Sequence, residues 1–297
     1  MKNFSLVLCI TWIVLGPGAE GASFLQLKKA CSKGEMQSCF QLGMMFESGD
    51  QVREDFAEAK NYFEKACPKG HTKACIGLGD LYERELGVEK DLVRARTFYA
   101  KACKAGDGEG CYSIGRLEEN AHHMKKALSM YDQACQKKFA MACSTLGMMY
   151  DFGREIKKNE MLARDYYQKA CSLDGVFCDW LGNAYENGKL GVQKDIKKAY
   201  HYYERSCKGK SAEGCYKVGN FYFYGKSIPK NYSKAVYYYR KSCSMSGAGV
   251  AKGCNNLGVL YSQGKGVEKD RAYAEKYYKK ACKLGYFDAC DQLKDKE

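Results

Sequence analysis

Apolar and small residues recur along the chain with a helical period. After Cys143, the residues Leu146, Gly147 and Tyr150 fall at +3, +4 and +7, which is one face of a 3.6-residue helix. A second run, Ala163, Tyr166, Tyr167 and Ala170, has the same spacing. Between such runs lie turn residues, as in Gly264-Lys265-Gly266-Val267-Glu268-Lys269-Asp270. The glycines stop the first helix, and the aspartate caps the second. Pro17, Pro68 and Pro229 fall outside the predicted helices, as a residue without an N–H requires. The pattern predicts a helical hairpin.

That hairpin repeats. Taking the cysteines in order pairs Cys31 with Cys39, Cys67 with Cys75, Cys103 with Cys111, Cys135 with Cys143, Cys171 with Cys178, Cys207 with Cys215, Cys243 with Cys254 and Cys282 with Cys290. Most pairs are 8 residues apart, and most successive pairs are 36 apart. Four residues after each second cysteine but the last sits Gly43, Gly79, Gly115, Gly147, Gly182, Gly219 or Gly258, each preceded by Leu, Ile or Val. Eight residues before the first cysteine sits Ala59, Ala95, Ala127, Ala163, Ala199, Ala235 or Ala274. An aromatic pair such as Tyr202-Tyr203 lies between that alanine and the cysteine, with Met130-Tyr131 as the exception. Residues that recur in every repeat at this spacing form the core. A functional site is therefore sought among those that vary.

The cysteine spacing constrains the joints. Two residues eight apart on one straight helix are about 12 Å apart, whereas a disulfide needs Cα atoms within about 7 Å. Either the cysteines stay reduced, or the chain turns back between them. Lys69-Gly70-His71 and Lys104-Ala105-Gly106 favour the turn. Each bridge then joins the end of one second helix to the start of the next first helix. Closing such a loop contributes about 2.5 kcal/mol in the chain-entropy view. Seven hairpins result, preceded by a partial helix at Phe24–Cys31 and followed by a stub from Cys290. Stacked units share the core that none of them buries alone. Three irregularities predict local changes of superhelix direction: the shortened turn Glu118-Glu119-Asn120-Ala121-His122-His123, the close pair of Cys171 and Cys178, and the extra residues within Ser244–Gly253.

Residues 1–21 read as a secretory signal peptide, with Lys2, an apolar stretch from Phe4 to Leu15 and small residues after it. Residues 22–297 then form the repeat domain. Of 17 cysteines, Cys9 lies in the leader, which leaves an even number for pairing. Disulfides persist in oxidising compartments, so the chain is expected to be secreted, to the periplasm or beyond. No second apolar stretch exists, so no membrane span is expected. The formal charge is +13, but Lys and Arg occur in every repeat, and no nucleic-acid partner is expected.

The phrase Ala142-Cys143-Ser144-Thr145-Leu146-Gly147-Met148-Met149-Tyr150 resembles the first helix of the Sel1-like repeats, a subclass of the tetratricopeptide-type solenoids. Tyr277-Tyr278-Lys279-Lys280-Ala281-Cys282-Lys283-Leu284-Gly285 resembles their second helix. A cysteine pair in every repeat, behind a signal peptide, is similar to the Helicobacter cysteine-rich proteins. The resemblance implies an all-α fold, a right-handed α/α solenoid of about seven disulfide-stapled two-helix repeats. It also implies two activities that the residues themselves do not show. One is protein or peptide binding, host proteins included. The other is β-lactam binding or hydrolysis, as in penicillin-binding proteins and β-lactamases. A structural role at the envelope is a third reading.

Catalytic motifs do not favour the second reading. A serine β-lactamase needs S-x-x-K with S-D-N and K-T-G elements. Ser227-Ile228-Pro229-Lys230 and Ser262-Gln263-Gly264-Lys265 match the first, both in turns, and neither other element occurs. The histidines His71, His122, His123 and His201 form no metal motif, and no cofactor or metal is expected. His122-His123 in the shortened turn is a candidate only for adventitious metal or pH sensing.

The expected partner surface is the first-helix face at +1, +5 and +8 from the second cysteine, which in tetratricopeptide-type relatives lines the concave groove. At +8 stand Glu47, Glu83, Glu119, Asp151 and Glu186, then Phe223 and Ser262. At +5, Asp80, Asn183 and Asn220 add polar groups, and at +1, Phe40, Tyr112 and Tyr216 add aromatic anchors. This stripe reads either as solvated helix ends or as a groove for an extended, basic, partly apolar segment.

Overall fold

A computed structural model describes residues 23–294, so the signal-peptide assignment lies outside the described residues. The elements are helices α1 (Phe24–Ser32), α2 (Met36–Ser48), α3 (Phe56–Ala66), α4 (Thr72–Arg84), α5 (Leu92–Lys104), α6 (Gly108–Asn120), α7 (Met124–Gln136) and α8 (Ala140–Phe152). They continue as α9 (Glu160–Leu173), α10 (Asp179–Asn187), α11 (Ile196–Lys208), α12 (Ala212–Tyr224), α13 (Tyr232–Cys243), α14 (Val250–Gln263), α15 (Arg271–Lys283) and α16 (Phe287–Lys294). There is no strand among the described residues. The fold class is an α/α repeat solenoid, with α2–α3 as the first complete hairpin and α14–α15 as the seventh. The described residues fall into two compact units, divided between Lys101 and Ala102 within α5.

Six of the seven hairpin turns close by one rule, the exception being the shortened α6–α7 turn, where α6 ends on Ala121 at φ −87° and His123 makes no side-chain cap. The first helix ends on a left-handed residue, such as Gly153 (φ 65°) or Gly225 (φ 72°). The second begins on an N-cap, as when Asp195 Oδ1 accepts from the Lys198 N–H at 2.9 Å. The N-cap N–H in turn donates to the carbonyl at +7 of the first helix, as in Asn231 to Tyr222 at 2.9 Å. Donors and acceptors that helix ends leave open are thus satisfied within the turn.

The joints between hairpins carry eight disulfides, with Cα atoms 4.4 to 4.9 Å apart. Each joins neighbours in the cysteine order: Cys31 to Cys39, Cys67 to Cys75, Cys103 to Cys111 and Cys135 to Cys143 in the first four joints. Cys171 to Cys178, Cys207 to Cys215, Cys243 to Cys254 and Cys282 to Cys290 follow. The second cysteines Cys39, Cys111, Cys143, Cys178, Cys215 and Cys254 are fully buried, so these bridges are part of the core, whereas Cys282 and Cys290 at the last joint are half-buried. In a standard joint, the third residue after the first cysteine is left-handed and the next N–H reaches back to the helix. Gly70 has φ 90°, and the His71 N–H donates to the Ala66 carbonyl at 3.3 Å. This is a Schellman-type closure. Lys138 and Lys210 occupy the same position at φ 63° and 67°. The close pair of Cys171 and Cys178 is met by a 3-10 turn at Gly175–Cys178 and a shortened α10. The extra residues before Cys254 turn through Gly247 and Gly249, at φ 92° and 90°.

Inside each hairpin, the second aromatic of the second helix is the main core residue. Phe63, Tyr99, Tyr131, Tyr167, Tyr203 and Tyr239 are 0 % exposed. Each ring lies against the +4 glycine of the facing helix. A Cβ at Gly147 would sit 2.6 Å from the Tyr167 ring, and one at Gly79 would sit 2.3 Å from Tyr99. Only glycine allows this approach, which explains its fixed place in the repeat.

One core row differs from the sequence expectation. The +7 residues Phe46, Tyr150, Tyr185, Tyr222 and Tyr261 are half-buried, and Tyr82 and Glu118 alone in that row are buried, whereas +6 is buried throughout, from Met45 to Leu260. The +7 ring stacks on the first aromatic of the second helix, as in Tyr150 on Tyr166 at 5.9 Å and Tyr185 on Tyr202 at 5.5 Å. This stack sits at the edge of the hairpin. The +6 side chain faces inward because a first helix is packed on more than one flank: α14 touches α12, α13 and α15.

Candidate binding face

The +1, +5 and +8 residues are all half-buried or better on the first helices, but they are not a row of free acids. In unit 1, the Tyr99 hydroxyl lies 2.6 Å from Asp80 Oδ1 and 2.7 Å from Glu83 Oε2. In unit 2, Tyr131 donates to Glu119, Tyr167 to Asp151 at 3.5 Å, and Tyr203 to Glu186 at 2.8 Å. Where the acid is absent, Tyr239 donates to Asn220 Oδ1 at 2.7 Å, and Tyr278 lies 3.5 Å from Ser262 Oγ. The stripe therefore serves first to satisfy the buried ring's hydroxyl, which would otherwise be left without a partner. Burial, then the facing carboxylates, push the Tyr99 and Tyr203 hydroxyls well above their ordinary range. Glu47 is the exception, because Phe63 stands where the other repeats have tyrosine. Burial and Asp80 raise the Glu47 carboxyl, and Arg84 opposes them.

The expected aromatic anchors are also partly spent. Tyr112 packs against Tyr131 and Phe139, both at 5.3 Å. Phe40 stacks on His71 at 4.6 Å. Tyr216 lies 6.2 Å from Tyr239 and carries Lys252 over its face.

Unit 2 contains a denser cluster across α8, α10, α12 and α14 that the repeat pattern does not announce. Trp180 stacks on Tyr167 at 5.2 Å and meets the edge of Phe152 at 6.4 Å. Phe152 is 56 % exposed, with Arg154 over its ring. Beside Trp180, Asp179 accepts from the Trp180 N–H, and burial pushes its carboxyl up to about 6. Glu186 receives Lys217 Nζ at 3.0 Å and Lys226 Nζ at 3.7 Å. Burial alone would raise its carboxyl, but the Lys217 and Tyr203 hydrogen bonds outweigh that and hold it below the usual glutamate range. Asn220 Oδ1 accepts from both Tyr239 and Asn256 Nδ2, the latter at 3.3 Å. Asn183 is half-buried on the same face of α10. Trp180 is the only tryptophan after residue 12, and that rarity was the sequence signal for this cluster.

The repeat profile decides the family: Sel1 repeats match residues 37–71, 72–107, 140–175, 178–211, 212–246 and 251–286. The chain belongs to the Sel1 repeat family. Residues 108–139, which hold the shortened turn, fall between the matched Sel1 repeats. A solved Sel1 repeat protein from Oxalobacter formigenes has the same fold, with TM-score 0.72, 23% identity and coverage of 92% of this chain and 80% of that one. The chain is 36% identical to Helicobacter pylori cysteine rich protein B over 45% of its length and 94% of that chain, with TM-score 0.37. Among curated proteins it is similar to cytochrome c oxidase assembly factor 7A of Xenopus laevis, 35% identical over 115 residues, or 36% of this chain and 49% of that protein. It spans about half the length of the curated relatives it matches.

Ser262, expected in a turn, lies instead within α14 at +8 of this Sel1 face, whereas Ser227 and the His122-His123 pair stand in turns. Ser227 is exposed in a turn at φ 58°. Ser262 Oγ donates to the Val259 carbonyl of its own helix at 2.9 Å, which leaves it poorly set as a nucleophile. His123 Nδ1 is 2.9 Å from Glu118, a buried carboxylate. No group of metal-ligating side chains occurs among the described residues.

Proposed function

We propose that this Sel1 repeat protein is an exported binding scaffold, and that the first-helix face of unit 2 takes an extended segment of a protein partner. The single observation that carries the reading is the cluster around Trp180. A large aromatic, an exposed Phe152 and the amides of Asn183 and Asn220 lie on adjacent first helices, at positions outside the recurrent core pattern. Tryptophan, tyrosine and arginine dominate binding hot spots, and amides suit both polar groups of a peptide backbone. The Asn220 oxygen is occupied by Tyr239 and Asn256, so its amide hydrogens face the partner. The eight disulfides support an oxidising destination, extracellular or periplasmic.

The tyrosine bonds change the expected chemistry. Glu186 is already matched by Lys217 and Lys226. Attraction for a basic segment is therefore weaker at α10 than five free acids would give. Selection of peptides from a random display library, followed by calorimetric titration of the selected peptides against parent and variant, tests the reading. The wild-type protein should enrich a common motif, and Trp180→Ala with Asn183→Ala should lose at least about tenfold in affinity for it. Selected peptides that bind the double variant as well as the parent would place binding elsewhere.

A further inference from the structure

The charge of +13 is not shared evenly along the chain. Lysine and arginine recur in every repeat, but the acids do not keep pace. Residues 1–188 hold 25 basic and 25 acidic side chains, and residues 189–297 hold 23 and 10. From Arg205 to Lys265, one acid stands against eleven bases. That acid, Glu213, is 3.8 Å from Lys252. The whole excess thus lies in residues 189–297, within unit 2.

The second helices α11, α13 and α15 show where it is displayed. Two positions after the buried second aromatic a base stands in every repeat but one, from Lys65 and Lys101 through Lys169 and Arg205 to Lys241 and Lys280, with Gln133 as the exception; the preceding position changes along the chain, from Glu64, Ala100, Asp132, Gln168 and Glu204 to Arg240 and Lys279. α13 contains no acid. The single acid of α15, Glu275, lies 3.3 Å from Arg271, and Glu204 of α11 is held by Lys208 at 3.1 Å. A surface concavity of about 560 Å³ along α15 is lined by Lys276, Lys279, Lys280 and Lys283 with Glu275. Tyr237 and Tyr273, 60 % and 46 % exposed, stand among these bases.

We propose that the exposed faces of α11, α13 and α15 dock on a membrane surface carrying anionic phospholipid headgroups. Three observations favour a bilayer over a polyanion in solution. Of the 23 bases, 20 are lysine, a hydrated point charge that answers a layer of charge without demanding the planar geometry that guanidinium uses for bidentate recognition. The bases spread over three consecutive repeats instead of lining one groove. The exposed tyrosines are the residue type that settles at a water–lipid boundary. No described helix is long and apolar enough to cross a membrane, so the contact is peripheral. This surface is on the second helices and leaves the first-helix face available to a partner.

Sedimentation of the intact protein with phosphatidylcholine vesicles, with and without phosphatidylglycerol, tests the proposal. Binding should require the anionic lipid and be released by high salt, because exposed charges are screened. Each lysine near such a surface strengthens binding by about fivefold. Together, Lys197→Glu, Lys276→Glu, Lys279→Glu and Lys283→Glu should cost at least about a hundredfold. The same reversal at the exposed Lys28, Lys33, Lys69 and Lys90 of unit 1 should leave binding within about threefold. If circular dichroism shows the reversed protein misfolded, glutamine at the same four unit 2 positions replaces it and should still lose binding. Three results would overturn the proposal: equal binding to pure phosphatidylcholine, equal loss from the unit 1 set, or preference for a soluble oligonucleotide or polyglutamate over the vesicles.

Discussion

Tyr203→Phe removes one oxygen and leaves the ring in place against Gly182, so it isolates the hydroxyl's contribution. That hydroxyl donates to Glu186 at 2.8 Å, and a hydrogen bond to a charged group contributes about 1.5–3 kcal/mol. Glu186 keeps Lys217 at 3.0 Å, so the carboxylate is not abandoned, and the loss should lie near the lower end, about 1.5 kcal/mol. For a unit of this size that corresponds to a fall in Tm of about 3–6 °C. The effect should also depend on pH. Glu186 is held below the ordinary glutamate value of 4.5, so it contributes stability that is present above that value and lost as pH falls through its folded pKa. Removing the phenol raises the folded pKa and shrinks this increment, so the difference between parent and variant should be full at neutral pH and narrow in acid. Thermal unfolding followed by circular dichroism at several pH values measures it, with Glu186→Gln completing a double-mutant cycle. The reciprocal change, Phe63→Tyr, supplies a phenol opposite Glu47 and should stabilise unit 1. A Tyr203→Phe variant within about 0.5 kcal/mol of the parent at neutral pH would refute the assignment of the stripe to the buried hydroxyls.

Two further changes probe the joints and the Trp180 cluster. Lys210→Gly relieves a left-handed backbone (φ 67°) and should stabilise by about 1 kcal/mol; a lower Tm than the parent would show that the Lys210 side chain contributes more than its conformation costs. Asp179→Asn removes a carboxyl that burial pushes up to about 6 from 3.8. A raised acid favours folding below its unfolded pKa, and that advantage is lost as pH rises through about 6, so the variant should gain on the order of 2–3 kcal/mol relative to the parent at neutral pH and little at pH below 4; a neutral-pH melting curve unchanged by the substitution would contradict the burial argument.

The hairpins, their caps and the joints were legible in the sequence because each depends on residues close together along the chain. Asp195 caps the helix it begins, and Cys67 meets Cys75 across one turn. The role of the +8 acids was hidden for the opposite reason. Glu186 and Tyr203 are 17 residues apart, and nothing in either local pattern says that one hydroxyl ends on one carboxylate. The stripe looked like a ligand surface because only its exposure was visible, and its partner lay in the core. The burial of +6 over +7 was missed similarly, since it follows from packing on several flanks. The charge asymmetry was open to view but required counting along the chain: 18 lysines stand in residues 1–188 and 20 in the shorter stretch 189–297, while Asp and Glu thin out over the same stretch.

In a repeat protein, a polar row that recurs is poor evidence for a ligand, because the fold has a use for it in every unit. The departures carry more information. Phe63 leaves Glu47 without the phenol that its counterparts receive. Phe223 and Ser262 end the acidic row, and Asn220 takes over the hydroxyl of Tyr239. Trp180 enters beside Phe152 where other repeats place smaller or charged residues. These changes concentrate on α8 to α14, and over the same stretch the acids of the second helices thin from Glu160 and Asp165 on α9 to Glu204 on α11 and none on α13. The core rings and glycines continue through the same repeats, and each joint keeps its disulfide even where the Cys171 to Cys178 and Cys243 to Cys254 spacings differ from the rest, so the recurrent core does not call for either trend. A stretch of the chain that keeps its core and alters both of its faces is what the two proposed contacts require, one on the first helices and another on the second.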